Sequence, residues 1–136
     1  MTAKDQRSNM IQYWWSKALD SLASARREFE AGSYPFAMNR LYYAAFYAVS
    51  AVLLGRQQSF RKHSGVRAAF HRQFIKTGLL DMKWGRLYDQ LFEDRQEGDY
   101  VVFVSFEAEY VQTQLGQCSE FLNELRMFLP STDERK

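Results

Sequence analysis

From Tyr42 to Leu54 the chain is apolar at every position except Ser50, and this run constrains the fold more than any other feature. A helix needs about 20 consecutive apolar residues to cross a hydrocarbon core, so the run is too short for a membrane span. A helix that is apolar all round must then be buried by its own protein. The spacing predicts a helix from about Pro35 to Leu54. One face carries Met38, Tyr42, Ala45, Phe46, Val49, Val52 and Leu53, and the other Arg40, Tyr43, Ala44, Tyr47, Ala51 and Leu54. Both faces need cover, which puts this helix at the centre of a bundle, and no membrane contact is expected.

The rest of the sequence supplies the cover. Ile11, Trp14, Trp15, Ala18, Leu19, Leu22 and Phe29 recur at steps of three and four with charges between them, an amphipathic helix ending at Gly32. Ser64 can cap a third helix that carries Val66, Ala69, Phe70 and Phe74, reaches Thr77 and stops at Gly78. Asp81 can cap a fourth with the stripe Trp84, Leu87, Tyr88, Leu91 and Phe92, ended by Gly98. After a short extended run from Tyr100 to Val104, Ser105 can cap a fifth helix. Its Ala108, Val111, Leu115, Cys118, Leu122, Leu125 and Leu129 form the seam of an antiparallel bundle or of a dimer. Pro130 stops that helix, and Ser131 to Lys136 is expected to fray. The prediction is an all-α, up-and-down antiparallel bundle of about five helices, one domain over residues 1–136 with its core at about 10–130. The fifth-helix seam and an aromatic content of 16% further predict a homodimer.

Charge is distributed unevenly. Residues 31–80 hold seven bases and no acid, while residues 81–136 hold six bases and twelve acids. The basic stretch can attract phosphates, or the two blocks can pair within or between subunits. Residues 1–10 carry both charge signs and no apolar core, so a secretory signal is not expected and a cytoplasmic location is. Cys118 stands alone and reads as a small buried apolar residue. His63, Arg67 and His71 share one flank at intervals of four, but the helix offers them no carboxylate or cysteine, so no metal site is expected. His63 suits an anion contact near a helix start, with neighbouring positive charge from Lys62 lowering its pKa. The chain lacks a Gly-rich phosphate loop and a Ser-His-Asp order, and no cofactor is implied.

Arg95 falls where the fourth helix should place its next apolar residue. An arginine drawn toward a core is paired or faces a ligand. Two roles are open to it: a salt bridge to Asp99 that fixes the helix end, or a bidentate contact to phosphate, with Tyr100 contributing its phenol. Arg40, Tyr43 and Tyr47 lie within about 60° of one another on the second helix. They form either ordinary amphipathic packing or the opposite wall of a cleft headed by Arg95.

Four segments together carry a family resemblance: Arg40-Leu-Tyr-Tyr-Ala-Ala-Phe-Tyr, Lys62-His-Ser-Gly-Val-Arg-Ala-Ala-Phe, Phe74-Ile-Lys-Thr-Gly-Leu-Leu and Arg95-Gln-Glu-Gly-Asp-Tyr. The chain resembles the small stand-alone HEPN proteins of bacteria and archaea. That resemblance implies a helical bundle that often dimerises and often partners a small nucleotidyltransferase in toxin–antitoxin pairs. Active members are metal-independent ribonucleases with an arginine followed after four to six residues by histidine. Here Arg95 matches the arginine, but Tyr100 stands at the histidine position, and a phenol with a pKa of about 10 is a poor base at neutral pH. The motif therefore reads as degenerate, with Tyr100 either a replacement in the site or a residue that the partner modifies with AMP. The expected function is RNA or nucleotide binding through Arg95, Asp99 and Tyr100, supported by His63 and Arg67. The alternatives are a non-catalytic dimeric interaction module and an active ribonuclease that recruits His63.

Overall fold

The computed structural model describes the backbone of residues 2–100 and 105–130 and the side chains of 2–96 and 105–130. Among these residues the elements are α1 (Ala3–Glu30), α2 (Tyr34–Gly55), α3 (His63–Phe70), a π-helical turn (His71–Ile75), α4 (Met82–Tyr100) and α5 (Ala108–Arg126), with no strand. The fold is all-α, as the periodicity predicts. No helix among the described residues is long and apolar enough to cross a membrane.

Thr2 and Asp5 start α1 with reciprocal side-chain-to-backbone hydrogen bonds at 3.1 and 3.3 Å, satisfying donors that a helix start leaves open. Gly32, at φ 78°, reverses the chain into α2. Contacts of Phe29 with Tyr34, Ser21 with Arg40 and Trp14 with Tyr47 run backwards along α2, so the two helices form an antiparallel hairpin. Arg26 meets Ser119 and Arg126 lies over Trp15, which sets α5 antiparallel to α1. Trp84 stacks on Phe121 and Asp94 accepts from Tyr110, which sets α4 antiparallel to α5. The four long helices thus alternate in direction, and α3 with its π turn spans the crossover from α2 to α4.

α2 touches every other α-helix, and Ala37, Met38, Leu41, Tyr42, Ala44, Ala45, Ala48, Val49, Ala51, Val52 and Leu53 are all buried on it. Its alanines let neighbouring helices approach closely on sides where large residues would hold them apart. The α5 stripe is used inside the chain: Val111, Cys118, Leu122 and Leu125 are buried, whereas Ala108 is exposed. Of the two roles open to that seam, the structure takes the bundle. Leu19, expected on the α1 stripe, is 40% exposed.

Several boundaries differ from the sequence expectation. α3 begins at His63 with Lys62 as its cap residue, so Ser64 lies inside the first turn. It is α-helical only to Phe70, after which the π turn carries Lys76 N–H to the His71 carbonyl before Gly78, at φ 79°, ends the segment. Asp81 caps α4 through a 2.8 Å bond from the Lys83 N–H, as expected. α4 continues through Gly98 to Tyr100, since a helical glycine costs only about 1 kcal/mol against alanine. Glu107 rather than Ser105 precedes α5, and that helix ends at Arg126, before Pro130 is reached. Tyr100, expected to open an extended run to Val104, is instead the last residue of α4, and the rest of that run and the tail from Ser131 lie outside the described residues.

Two glycines separate packing from propensity. A Cβ on Gly85 would come within 2.9 Å of His71 Cε1 and 3.2 Å of Ile75, where α4 abuts the π turn. A Cβ on Gly116 of α5 would meet nothing within 4 Å. Gly85→Ala is expected to destabilise the protein by about 1–3 kcal/mol through overpacking. Gly116→Ala is expected to stabilise it by about 0.5–1 kcal/mol. Urea unfolding of both variants checks the opposite signs.

Candidate functional site

Three elements bring one polar group each to the same place. α2 supplies Tyr43, the first turn of α3 supplies His63, and the C-terminal half of α4 supplies Arg95. The Arg95 guanidinium lies 5.4 Å from the Tyr42 ring centre and 5.3 Å from that of Tyr43, and its Nη2 donates to the Tyr43 hydroxyl at 3.2 Å. Such cation–ring contacts contribute about 0.5–2 kcal/mol each, more as water is excluded. His63 stacks on Phe46 at 4.1 Å and meets Tyr43 edge-on at 5.9 Å. Its Nδ1 is 2.9 Å from the Tyr42 hydroxyl.

Burial fixes the protonation states. The Tyr42 phenol is pushed up to about 12, chiefly by desolvation, with Arg95 opposing. It therefore stays protonated at neutral pH and shares a hydrogen bond with His63 Nδ1. His63 is held below its ordinary value, first by burial and then by the charge of Arg95. The expected lowering is present, but its causes are burial and then the Arg95 guanidinium rather than Lys62 beside it in the chain. Tyr88, buried against Tyr42, is pushed well above the usual phenol range by burial and then by Tyr42 itself.

The other expected site residues divide. Arg40 lies over Tyr43 at 5.7 Å and is held by the Asn39 side chain at 2.6 and 3.0 Å, while Tyr47 packs on Tyr43 at 5.6 Å. Both flank the cluster. Arg67 points its charge elsewhere: it covers the Phe92 ring at 4.4 Å and pairs with Asp89 at 3.8 Å. His71 shares that partner through a 3.0 Å bond, so the flank of His63, Arg67 and His71 is split between two sites. Asp99 and Tyr100 belong to the last turn of α4, and their side chains, including any Arg95 to Asp99 pair, lie outside the described residues.

Periodicity did not bring two features forward. Tyr42 and Phe46 were assigned to the core face, yet they form the floor on which Arg95 and His63 rest. Asp94, 5% exposed, accepts from the Tyr110 hydroxyl and from Gln90 at 2.9 Å, and Gln114 reaches the same phenol at 3.3 Å. Burial and then Asp94 push that phenol up. Asp94 follows Leu87 and Leu91 on the α4 stripe as Arg95 follows Tyr88 and Leu91, so the same signal marks both. The network lies on the α4–α5 side, in an open groove of about 610 Å³ that also carries Lys83 and Arg86. The Arg95 cluster is by contrast a half-buried strip of rings and cations, which suits an extended anionic ligand better than an enclosed small molecule.

The His63 environment gives a signed expectation. A histidine whose folded pKa is depressed contributes stability above its unfolded pKa of about 6.5, and this is lost as pH falls through the folded value. Unfolding midpoints of the wild type and His63→Gln should therefore converge as pH drops below about 6.5. Arg95→Ala should raise the His63 pKa seen by NMR titration. A His63 pKa unchanged in that variant would remove Arg95 from its electrostatic surroundings.

A family model described as the HEPN domain matches residues 11–128. A UPF0332 protein of Thermotoga maritima is 39% identical over 125 residues, covering 92% of this chain and 95% of that protein. A candidate toxin of Methanocaldococcus jannaschii is 34% identical over 115 residues, covering 85% and 78% respectively. A second protein of that organism, named in the same way, is 32% identical over 83 residues, or 61% and 62%. With the family match spanning α1 to the end of α5, the chain belongs to the HEPN domain family.

Proposed function

We propose that this HEPN protein acts as a toxin-like member of a toxin–antitoxin or defence pair and binds RNA or nucleotide through Arg95. Tyr43 and His63 stand beside it, Arg40 and Tyr47 flank it, and Asp99 and Tyr100 complete the proposal from the last turn of α4. The observation that carries the reading is the seating of Arg95 on the faces of Tyr42 and Tyr43 next to a neutral imidazole. A planar guanidinium held in this way is oriented before a phosphate arrives, so little side-chain entropy is lost on binding. The toxin names of the two Methanocaldococcus relatives support the biological half of the proposal. Tyr100 at the motif histidine position makes binding, rather than cleavage, the activity proposed.

A homodimer and a small nucleotidyltransferase partner belong to the same proposal, as does a cytoplasmic setting. With the α5 seam buried in the chain, support for self-association passes to exposed apolar residues such as Phe36 and Met127. These also favour the second reading, a non-catalytic interaction module. Light scattering at micromolar concentration should give twice the chain mass.

Arg95→Ala is expected to stay folded, losing at most about 2 kcal/mol, and to weaken binding of a single-stranded RNA oligonucleotide at least ~10-fold. The log–log slope of affinity against salt should become shallower by about 0.7 for the lost phosphate contact. Arg67→Ala should change affinity much less, because Asp89 already balances that charge. Melting and anisotropy on the same preparations check both; a folded Arg95→Ala protein that binds like wild type would sink the reading.

A further inference from the structure

The rings beside Arg95 do not stop at α2. Tyr43 packs on Tyr47 at 5.6 Å, Tyr47 on Trp14 of α1 at 5.5 Å, and Trp14 on Tyr13 at 5.7 Å. Lys17, one helical turn beyond Tyr13, holds its ammonium 4.8 Å from Tyr47, 5.5 Å from Trp14 and 5.4 Å from Tyr13. The result is a continuous row of four aromatic rings crossing from α2 to α1, with Arg95 and Arg40 at the Tyr43 end and Lys17 beside the other three rings. We propose that this row is a stacking track for single-stranded RNA, which extends the site from Arg95 over Tyr43 and Tyr47 to Trp14, Tyr13 and Lys17.

The inference rests on the reading of Arg95 as a phosphate contact and adds to it the length, direction and strandedness of the ligand. Scattered exposed rings need no explanation, but this row is contiguous, with Tyr13 53% exposed and its other rings half-buried. Partly exposed rings in a row suit unpaired bases, since every base offers a π-face and a duplex hides it. The charges favour a polyanion over a protein surface. Among the described residues neither Lys17 nor Arg40 is in an ion pair, whereas Arg67 outside the row is. α2, which carries the half of the row next to Arg95, has no acidic residue along its length. Tyr13 and Lys17 were not marked by the sequence pattern because both lie off the buried stripe of α1.

The test uses a short fluorescein-labelled oligouridylate, read by anisotropy against the full-length wild type, Arg95→Ala and the double variant Tyr13→Ala with Lys17→Gln. The double variant alters partly exposed side chains, and circular dichroism checks that it folds. Its affinity is expected to fall about 10-fold or more, as for the loss of one base stack and one phosphate contact. Wild-type protein should bind the same oligonucleotide annealed to its complement more weakly. If Arg95→Ala loses binding while the double variant binds like wild type, the track is overturned and the Arg95 reading stands. If neither variant changes affinity, both fail. A double variant that turns a dimer into a monomer by light scattering and retains oligouridylate binding would overturn the track by making the row a face between two copies.

Discussion

The burial of α2 on all but the face that carries Arg40, Tyr43, Tyr47 and Ser50 is the constraint from which the rest of the structure follows. Half of its 22 residues are buried, and each large side chain removed from water there contributes about 1.5–3 kcal/mol. Four partners must be found for one helix, and the alternating directions of α1, α4 and α5 with the short α3 crossover supply them. A helix this apolar pays for its position wherever it carries a polar atom. The Tyr42 hydroxyl, left alone in the core, would cost about 1–3 kcal/mol, comparable to what burial of its ring returns. His63 meets it at 2.9 Å, and so the first turn of α3 is tied to the centre of the bundle.

That tie also shapes the candidate site. With Tyr42 and Phe46 filling the space beneath, Arg95 and His63 lie on aromatic surfaces, near enough for the guanidinium to lower the imidazole pKa. The same low-polarity floor that keeps the imidazole neutral strengthens the pull of the guanidinium on an anion. Packing and electrostatics therefore have one origin at this end of the molecule. On the other side of α4 the demand of burial is met differently: Asp94 is satisfied by Tyr110 and Gln90, linking α4 to α5 through a polar network beside the Trp84–Phe121 stack.

The uneven charge of the sequence is partly cancelled by the fold. Asp89 of α4 takes both Arg67 and His71, so the acid-free segment is not presented whole. Arg40 stays exposed over Tyr43 at the edge of the cluster. Which basic residues keep an outward field depends on where the acidic α4 falls against α3, and that is a matter of contact geometry rather than composition.

The all-α class, the central position of α2 and the anomaly at Arg95 were determined by the sequence alone, because each is a property of local periodicity: a 3.6-residue repeat shows which side of a helix is apolar and where a charge interrupts it. Turn glycines at 32 and 78 were legible for the same local reason, a backbone conformation that side chains disfavour. Helix ends at Ser64, Gly98 and Ser105 were misjudged because a favourable cap or break is worth about 1 kcal/mol and tertiary packing can outweigh it. Only the tertiary structure decided that His63 joins Arg95, that Arg67 pairs with Asp89, and that Tyr13 and Lys17 of α1 continue the row of rings from α2. Those pairings are set by the rotation and register of one helix against another, and the periodicity of each helix taken singly leaves both unspecified.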